Sequence, residues 1–224
     1  MMSTSEVKAF IQHMAPIIRA EADRRGYKIC STVIAQAIIE GRYGTSTLAK
    51  VYFNHFGLKC GKSWHGKSVN MKTKEEYQVG NLVSIRDNFR VFDNDFDGVS
   101  GYYDFIGTKR YENLKYAADY RQYAEYLKQD GYATSSTYVQ TLCDTVKRYN
   151  LYTWDDADVS GRFYPKCSPN HTSIAQALDE IGVDSSKSNR KKIYNVNFSD
   201  TYLFSAKQNT AMLTLLKDGK LLKP

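Results

Sequence analysis

Residues 33–44, "VIAQAIIEGRYG", restrict this chain more than any other stretch. Val33, Ile34, Ala37 and Ile38 recur at helical spacing on an oily segment. Glu40 closes that segment, ahead of the helix-stopping Gly41 and Gly44. A carboxylate suits that end poorly, because the negative pole of the helix dipole favours cations there. Left exposed, Glu40 would be a minor misfit of about 0.3 kcal/mol. Turned into a groove, it would meet desolvation as well as the dipole. Both oppose ionisation, so its pKa should rise.

The rest of the chain supplies a setting for that helix. Val7, Phe10, Ile11, Met14, Ile17 and Ile18 mark one face of an earlier helix. Between residues 51 and 92 the period changes to alternation, at Val69, Met71 and Thr73 and again at Val83 and Ile85. Gly80-Asn81 reads as a turn between two strands. Helical spacing returns with Tyr120, Tyr123, Ala124 and Leu127, then with Tyr138, Leu142, Val146 and Tyr149. Residues 1–154 thus read as a mostly helical domain with one β-hairpin lobe, an α+β class weighted to α. Residues 155–170 carry Pro, Gly, Asp and Ser without apolar periodicity and read as a linker. Residues 171–224 read as a small helical module around Ile174, Ala177, Leu178 and Ile181.

The formal charge, 31 − 24 = +7, favours an anionic partner or a solvated basic surface. Eighteen Tyr against two Trp offer flat faces with hydroxyls, suited to sugars or bases. The N-terminal stretch shows neither a signal peptide nor a membrane span, since Gln12 and His13 interrupt its apolar run. Cys30, Cys60, Cys143 and Cys167 form no CxxC pair. His55, Cys60 and His65 fall at five-residue intervals in a Gly/Lys-rich loop, a weak pattern for metal ligands. No metal and no cofactor are expected.

A carboxylic acid still protonated near neutral pH is what protonates a leaving sugar oxygen in glycoside hydrolysis. That chemistry usually takes a second carboxylate. "KTKEEYQ" offers Glu75 and Glu76, adjacent on a strand, of which only one can look into a cleft.

These pieces together resemble glycoside hydrolase family 73, the bacterial and phage endo-β-N-acetylglucosaminidases that cut peptidoglycan. The resemblance runs over about residues 5–154, through "TVIAQAIIEGRYGTSTLAK", "NHFGLKCGKSWHGKSVNMKTKEEY", "NFRVF", "KRY" and "DGYATSSTYVQTLCDTVKRYNLY". It implies a lysozyme-like fold with Glu40 as general acid. It implies a second carboxylate at Glu75 or Glu76, the register being offset by one residue, and Tyr132 beside the acid. Asn54, Phe56, Tyr43 and Tyr111 fall on positions expected to bind substrate. The chain departs from the family's usual Glu-Ser-Gly-Trp-Gly at Gly41, Arg42 and Tyr43, and an inward Arg42 would lower the acid's pKa. The tail resembles C-terminal modules of clostridial and phage wall hydrolases, which implies a wall-binding role, with anionic wall polymers as ligands. Such an enzyme is expected to be a phage endolysin, held in the host cytoplasm before lysis, with no nucleic-acid partner and no membrane insertion. The rivals are a muramidase or lytic transglycosylase of the same lysozyme-like class, and a non-catalytic basic binding protein.

Overall fold

The computed structural model describes residues 3–61, 63–78, 81–198 and 200–224, with backbone alone for the strand residues between 73 and 85. The chain divides into two units, residues 1–157 and 158–224.

The first unit is built around α2 (Ser31–Glu40), whose residues from Ser31 to Ile38 are all buried. Sequence spacing predicts one apolar face; the helix is instead enclosed on every side. It packs against α1 (Thr4–Arg25), α5 (Tyr120–Gln129), α6 (Tyr138–Arg148) and a 3-10 turn at Leu151–Trp154. A helix so enclosed must satisfy its polar groups internally. Gln36, in its middle, accepts from the Tyr102 hydroxyl at 2.6 Å and donates to that of Tyr138 at 2.9 Å.

The N-terminus of α2 has no cap from its own sequence, since Cys30 supplies no side-chain bond. Asp155 supplies one from far along the chain. One carboxylate oxygen accepts from the Cys30 and Ser31 amides, both at 2.8 Å, and the other from the Ser31 hydroxyl at 2.7 Å. A carboxylate at this pole also complements the helix dipole.

A helix that the periodicity does not single out, α4 (Asp95–Ile106), places Tyr102 and Tyr103 in the core with no exposed area. Between α2 and α4 lie the short α3 (Thr47–Tyr52) and the hairpin of β1 (Ser68–Gln78) and β2 (Asn81–Arg90). The two strands pair antiparallel in constant register from Ser68↔Arg90 to Glu76↔Leu82, with an irregularity between Glu76 and Gln78. The expected Gly80-Asn81 turn falls on Gly80, which lies outside the described residues, while Asn81 begins β2.

The second unit holds α7 (Ile174–Glu180), α8 (Lys187–Asn197) and α9 (Ala206–Asp218) around Ile174, Leu178, Ile193, Met212 and Leu216. The expected linker is corrected here. Asp155 is bound into the first unit, and Phe163 bridges to Leu222 in the second, where the Tyr164 amide donates to Leu221 at 2.8 Å. Val159 and Cys167 are buried. The stretch lacks periodicity because its partner is the C-terminal strand-like tail, not a helix face.

Candidate active site

Glu40 is the last residue of α2, and two opposing facts describe it. The residue as a whole is exposed, yet its carboxyl is crowded by protein on most sides. Both hold for a carboxyl mostly surrounded by protein on a residue that water still reaches. Burial raises its pKa to about 7, and no charged neighbour among the described residues contributes. Arg42, exposed, does not pull it down, so that expectation is corrected.

The wall beside the acid is a tight loop. Arg42, Tyr43 and Gly44 take φ values of 50°, 55° and 74°, three successive left-handed residues, of which two carry side chains. Such a conformation costs about 1 kcal/mol for each non-glycine residue and persists only where its surroundings hold it. Here the Tyr43 amide donates to Ile38 at 2.9 Å and the Ser46 amide to Gly41 at 3.1 Å. The Tyr43 hydroxyl meets that of Tyr149 at 3.0 Å.

Beneath the loop lies a buried polar cluster. A Cβ on Gly41 would come 2.6 Å from the Ala37 carbonyl oxygen and 3.3 Å from His55 Nδ1, so only a glycine fits between helix and histidine. His55 Nε2 is 2.6 Å from Asp95 Oδ1, and His13 Nε2 is 2.8 Å from Asp95 Oδ2. Burial disfavours the Asp95 charge, but the bonds from the two histidines hold its carboxyl well below the usual carboxylate range. Of the spaced trio, His55 is therefore engaged in a buried hydrogen-bonded cluster with Asp95. No group of three His, Cys, Asp or Glu among the described residues is arranged to hold a metal.

Tyr132 and Tyr138 both feel the Glu40 charge, which adds to burial in raising their pKa values. Their rings stack with centroids 6.3 Å apart, and Tyr132 is also 6.1 Å from Tyr102 and 6.0 Å from Phe105. The Tyr132 hydroxyl donates to the Phe56 carbonyl at 3.0 Å. It therefore keeps only lone pairs for anything else.

Three of the residues expected to bind substrate lie too deep for contact. Asn54 is 1% exposed, and both ends of its amide are used, donating to Leu58 and Arg90 carbonyls and accepting from the Leu58 amide. It clamps the loop to β2. The Phe56 ring is buried 4.3 Å from Tyr102, and Tyr111 is buried 5.4 Å from Phe105. They support the recess from behind. Tyr43, in the loop that follows the acid, and Tyr132, which feels its charge, are half-buried as residues. The side chains of Glu75 and Glu76 lie outside the described residues; their backbones pair with Val83 and Leu82. The register irregularity follows Glu76, so counting inward from Val69 is unbroken through both.

Sequence reasoning assigned no site role to Gln36, Tyr138, His55, Asp95 or Arg90. Gln36 did leave a signal, as a polar residue inside an apolar helix.

Residues 15–151 match the glucosaminidase family, described as mannosyl-glycoprotein endo-beta-N-acetylglucosaminidase. The exo-glucosaminidase LytG of Bacillus subtilis is 32% identical over 136 residues, 58% of this chain and 47% of that protein. A probable N-acetylmuramidase of Lactococcus lactis subsp. lactis is 32% identical over 168 residues, 71% of this chain and 37% of its own length. This chain thus spans less than half the length of these curated relatives. The catalytic domain of the autolysin Auto from Listeria monocytogenes superposes with a TM-score of 0.57 at 26% identity, over 69% of this chain and 90% of that domain.

Proposed function

Since the chain belongs to the glucosaminidase family of glycoside hydrolases, we propose that it cleaves peptidoglycan at the β-1,4 bond on the reducing side of N-acetylglucosamine. The observation that carries this reading is the Glu40 carboxyl, held at a pKa of about 7 by burial alone on a residue that water still reaches. At neutral pH about half the molecules present it protonated, ready to give its proton to the glycosidic oxygen as the C–O bond breaks.

The residues around it suit an N-acetylated sugar. With its own proton committed to Phe56, the Tyr132 hydroxyl can only accept, and an acetamido N–H is a donor. Fixed there, the acetamido carbonyl oxygen is free to attack the anomeric carbon as the leaving group departs. Water then opens the resulting ring. A carboxylate from Glu75 or Glu76 acting as base is the alternative course.

The muramidase name of one relative and the glucosaminidase name of another keep the choice of bond a matter for experiment. Fragments released from purified peptidoglycan, reduced with borohydride and weighed by mass spectrometry, decide it. Reduced N-acetylglucosamine ends are expected. Reduced N-acetylmuramic acid would make the enzyme a muramidase, anhydro-muramic ends a transglycosylase, and uncut glycan would overturn the reading.

The biological role we attach to this chemistry is that of a phage endolysin acting on the host wall. The net charge of residues 171–224, 8 − 5 = +3, suits binding of the second unit to an anionic wall polymer.

A further inference from the structure

The motif "NFRVF" ends β2 with an arginine whose position goes unused in the chemistry above. Arg90 is anchored at three points. Its amide donates to Leu58 at 2.9 Å, its carbonyl accepts from Asn54 at 2.9 Å, and its Nε donates to the Lys59 carbonyl at 3.1 Å. The guanidinium carbon lies 4.7 Å from the Trp64 ring centre and 5.5 Å from that of Phe105. Trp64 is itself pinned. Its Nε1 donates to Lys67 at 3.0 Å, and its ring lies so close to Gly66 that a Cβ there would fall 2.5 Å from it.

This cation is preorganised, and its guanidinium is given no carboxylate partner among the described residues. Burial lowers its pKa, so part of its hydration is gone. Among the described residues no carboxylate forms a salt bridge with it. Asp104, which lies in its field, pairs with Arg25 at 2.6 Å, and Asp87 on the same strand pairs with Lys59 at 3.0 Å. A partly desolvated guanidinium with fixed Nε and free terminal nitrogens is built for the two oxygens of a carboxylate.

Two rings connect it towards the acid. Phe105, beside Arg90, is 6.0 Å from Tyr132, and Tyr132 feels the charge of Glu40. We infer that Arg90 binds a carboxylate on the peptide branch of the wall glycan, and thereby fixes which β-1,4 bond lies over Glu40. This rests on the peptidoglycan reading above. In that glycan, branched and unbranched sugars alternate and only the branched one carries an anion. A cation at a fixed distance from the acid therefore selects one of the two otherwise similar bonds. Uncharged aromatic contacts with sugar faces would leave both registers open.

The test is a two-by-two binding cycle by calorimetry. Wild-type enzyme and Arg90→Gln are each titrated with N-acetylmuramyl-L-alanyl-D-isoglutamine and with the same compound amidated at its free carboxylate. Arg90→Lys, which keeps charge without the fork, and thermal melts of each variant control for folding. Removing either partner should weaken binding at least tenfold, and removing both should weaken it no further. Losses that multiply, equal affinities throughout, or no binding to wild type would overturn the inference. Glycan cleavage measured on the same wild-type preparation separates the two readings. Cleavage without coupling sinks only the role of Arg90, whereas absence of cleavage sinks the proposed reaction.

Discussion

Replacing Glu40 by Gln should abolish activity and stabilise the fold, and the stabilisation should depend on pH. The folded pKa is about 7 against an ordinary value of 4.5. Taken whole, that difference would correspond to about 3 kcal/mol. The residue is more than a third exposed, so solvent screening reduces the figure to about 1 kcal/mol. A folded pKa above the unfolded one means the native state holds the extra proton between pH 4.5 and 7. Wild-type stability should therefore fall as pH rises through that window and level off above it. The amide of the variant does not titrate. Its advantage should be near zero at pH 4 and complete by pH 8, where about 1 kcal/mol corresponds to a rise of about 2–4 °C in melting temperature for a unit of this size. Melting curves of both proteins at pH 4 and 8 measure it. Equal differences at the two pH values, or a variant less stable at pH 8, would refute the claim that the acid is held against its own ionisation. The same titration should appear in catalysis, with kcat/KM declining above about pH 7 and a loss of about 10³-fold or more in Glu40→Gln.

Three further substitutions probe the supports of the acid. Asp155→Ala removes three hydrogen bonds from the start of α2 and should cost about 3 kcal/mol, read as a lower urea midpoint at unchanged slope; a shift under about 0.5 kcal/mol would dismiss the cap. Gly41→Ala keeps an allowed backbone, at φ −79°, but forces a methyl to within 2.6 Å of the Ala37 oxygen. It should cost about 1–3 kcal/mol and cut kcat/KM by about tenfold or more, and full activity would show that the loop tolerates being lifted. Arg42→Gly relieves a left-handed residue at φ 50°, so its melting temperature should hold or rise; a clear fall would mean the arginine side chain holds the loop.

What could be read from sequence follows from the range of the interactions. Glu40, its helix and the alternating hairpin declare themselves within a dozen residues, because periodicity and a misplaced charge are local. The Asp95 cluster joins residues 82 and 40 positions apart, and no local pattern announces it. Asn54, Phe56 and Tyr111 were expected at the surface of the site and prove to be buried behind it. An aromatic residue has the same letter in either place, and only the packing of α4 against them decides which. The stretch from 155 to 170 misled for a related reason. Its order comes from a bridge to residues some 60 positions away, which composition cannot register.

The cap supplied by Asp155 bears on how such a chain can be recombined. The last residues of the first unit close the far end of the helix that carries the acid, so a splice upstream of Asp155 would strip that helix of its cap. Val159, only four positions on, is already buried and belongs to the second unit. A crossover that exchanges one tail for another while keeping both partners whole has just the peptide bonds between Asp155 and Val159 to fall in. The seam for swapping modules is narrower than the loosely composed stretch from 155 to 170 suggests, and chimeras joined a few residues to either side should separate cleanly into folded and unfolded products.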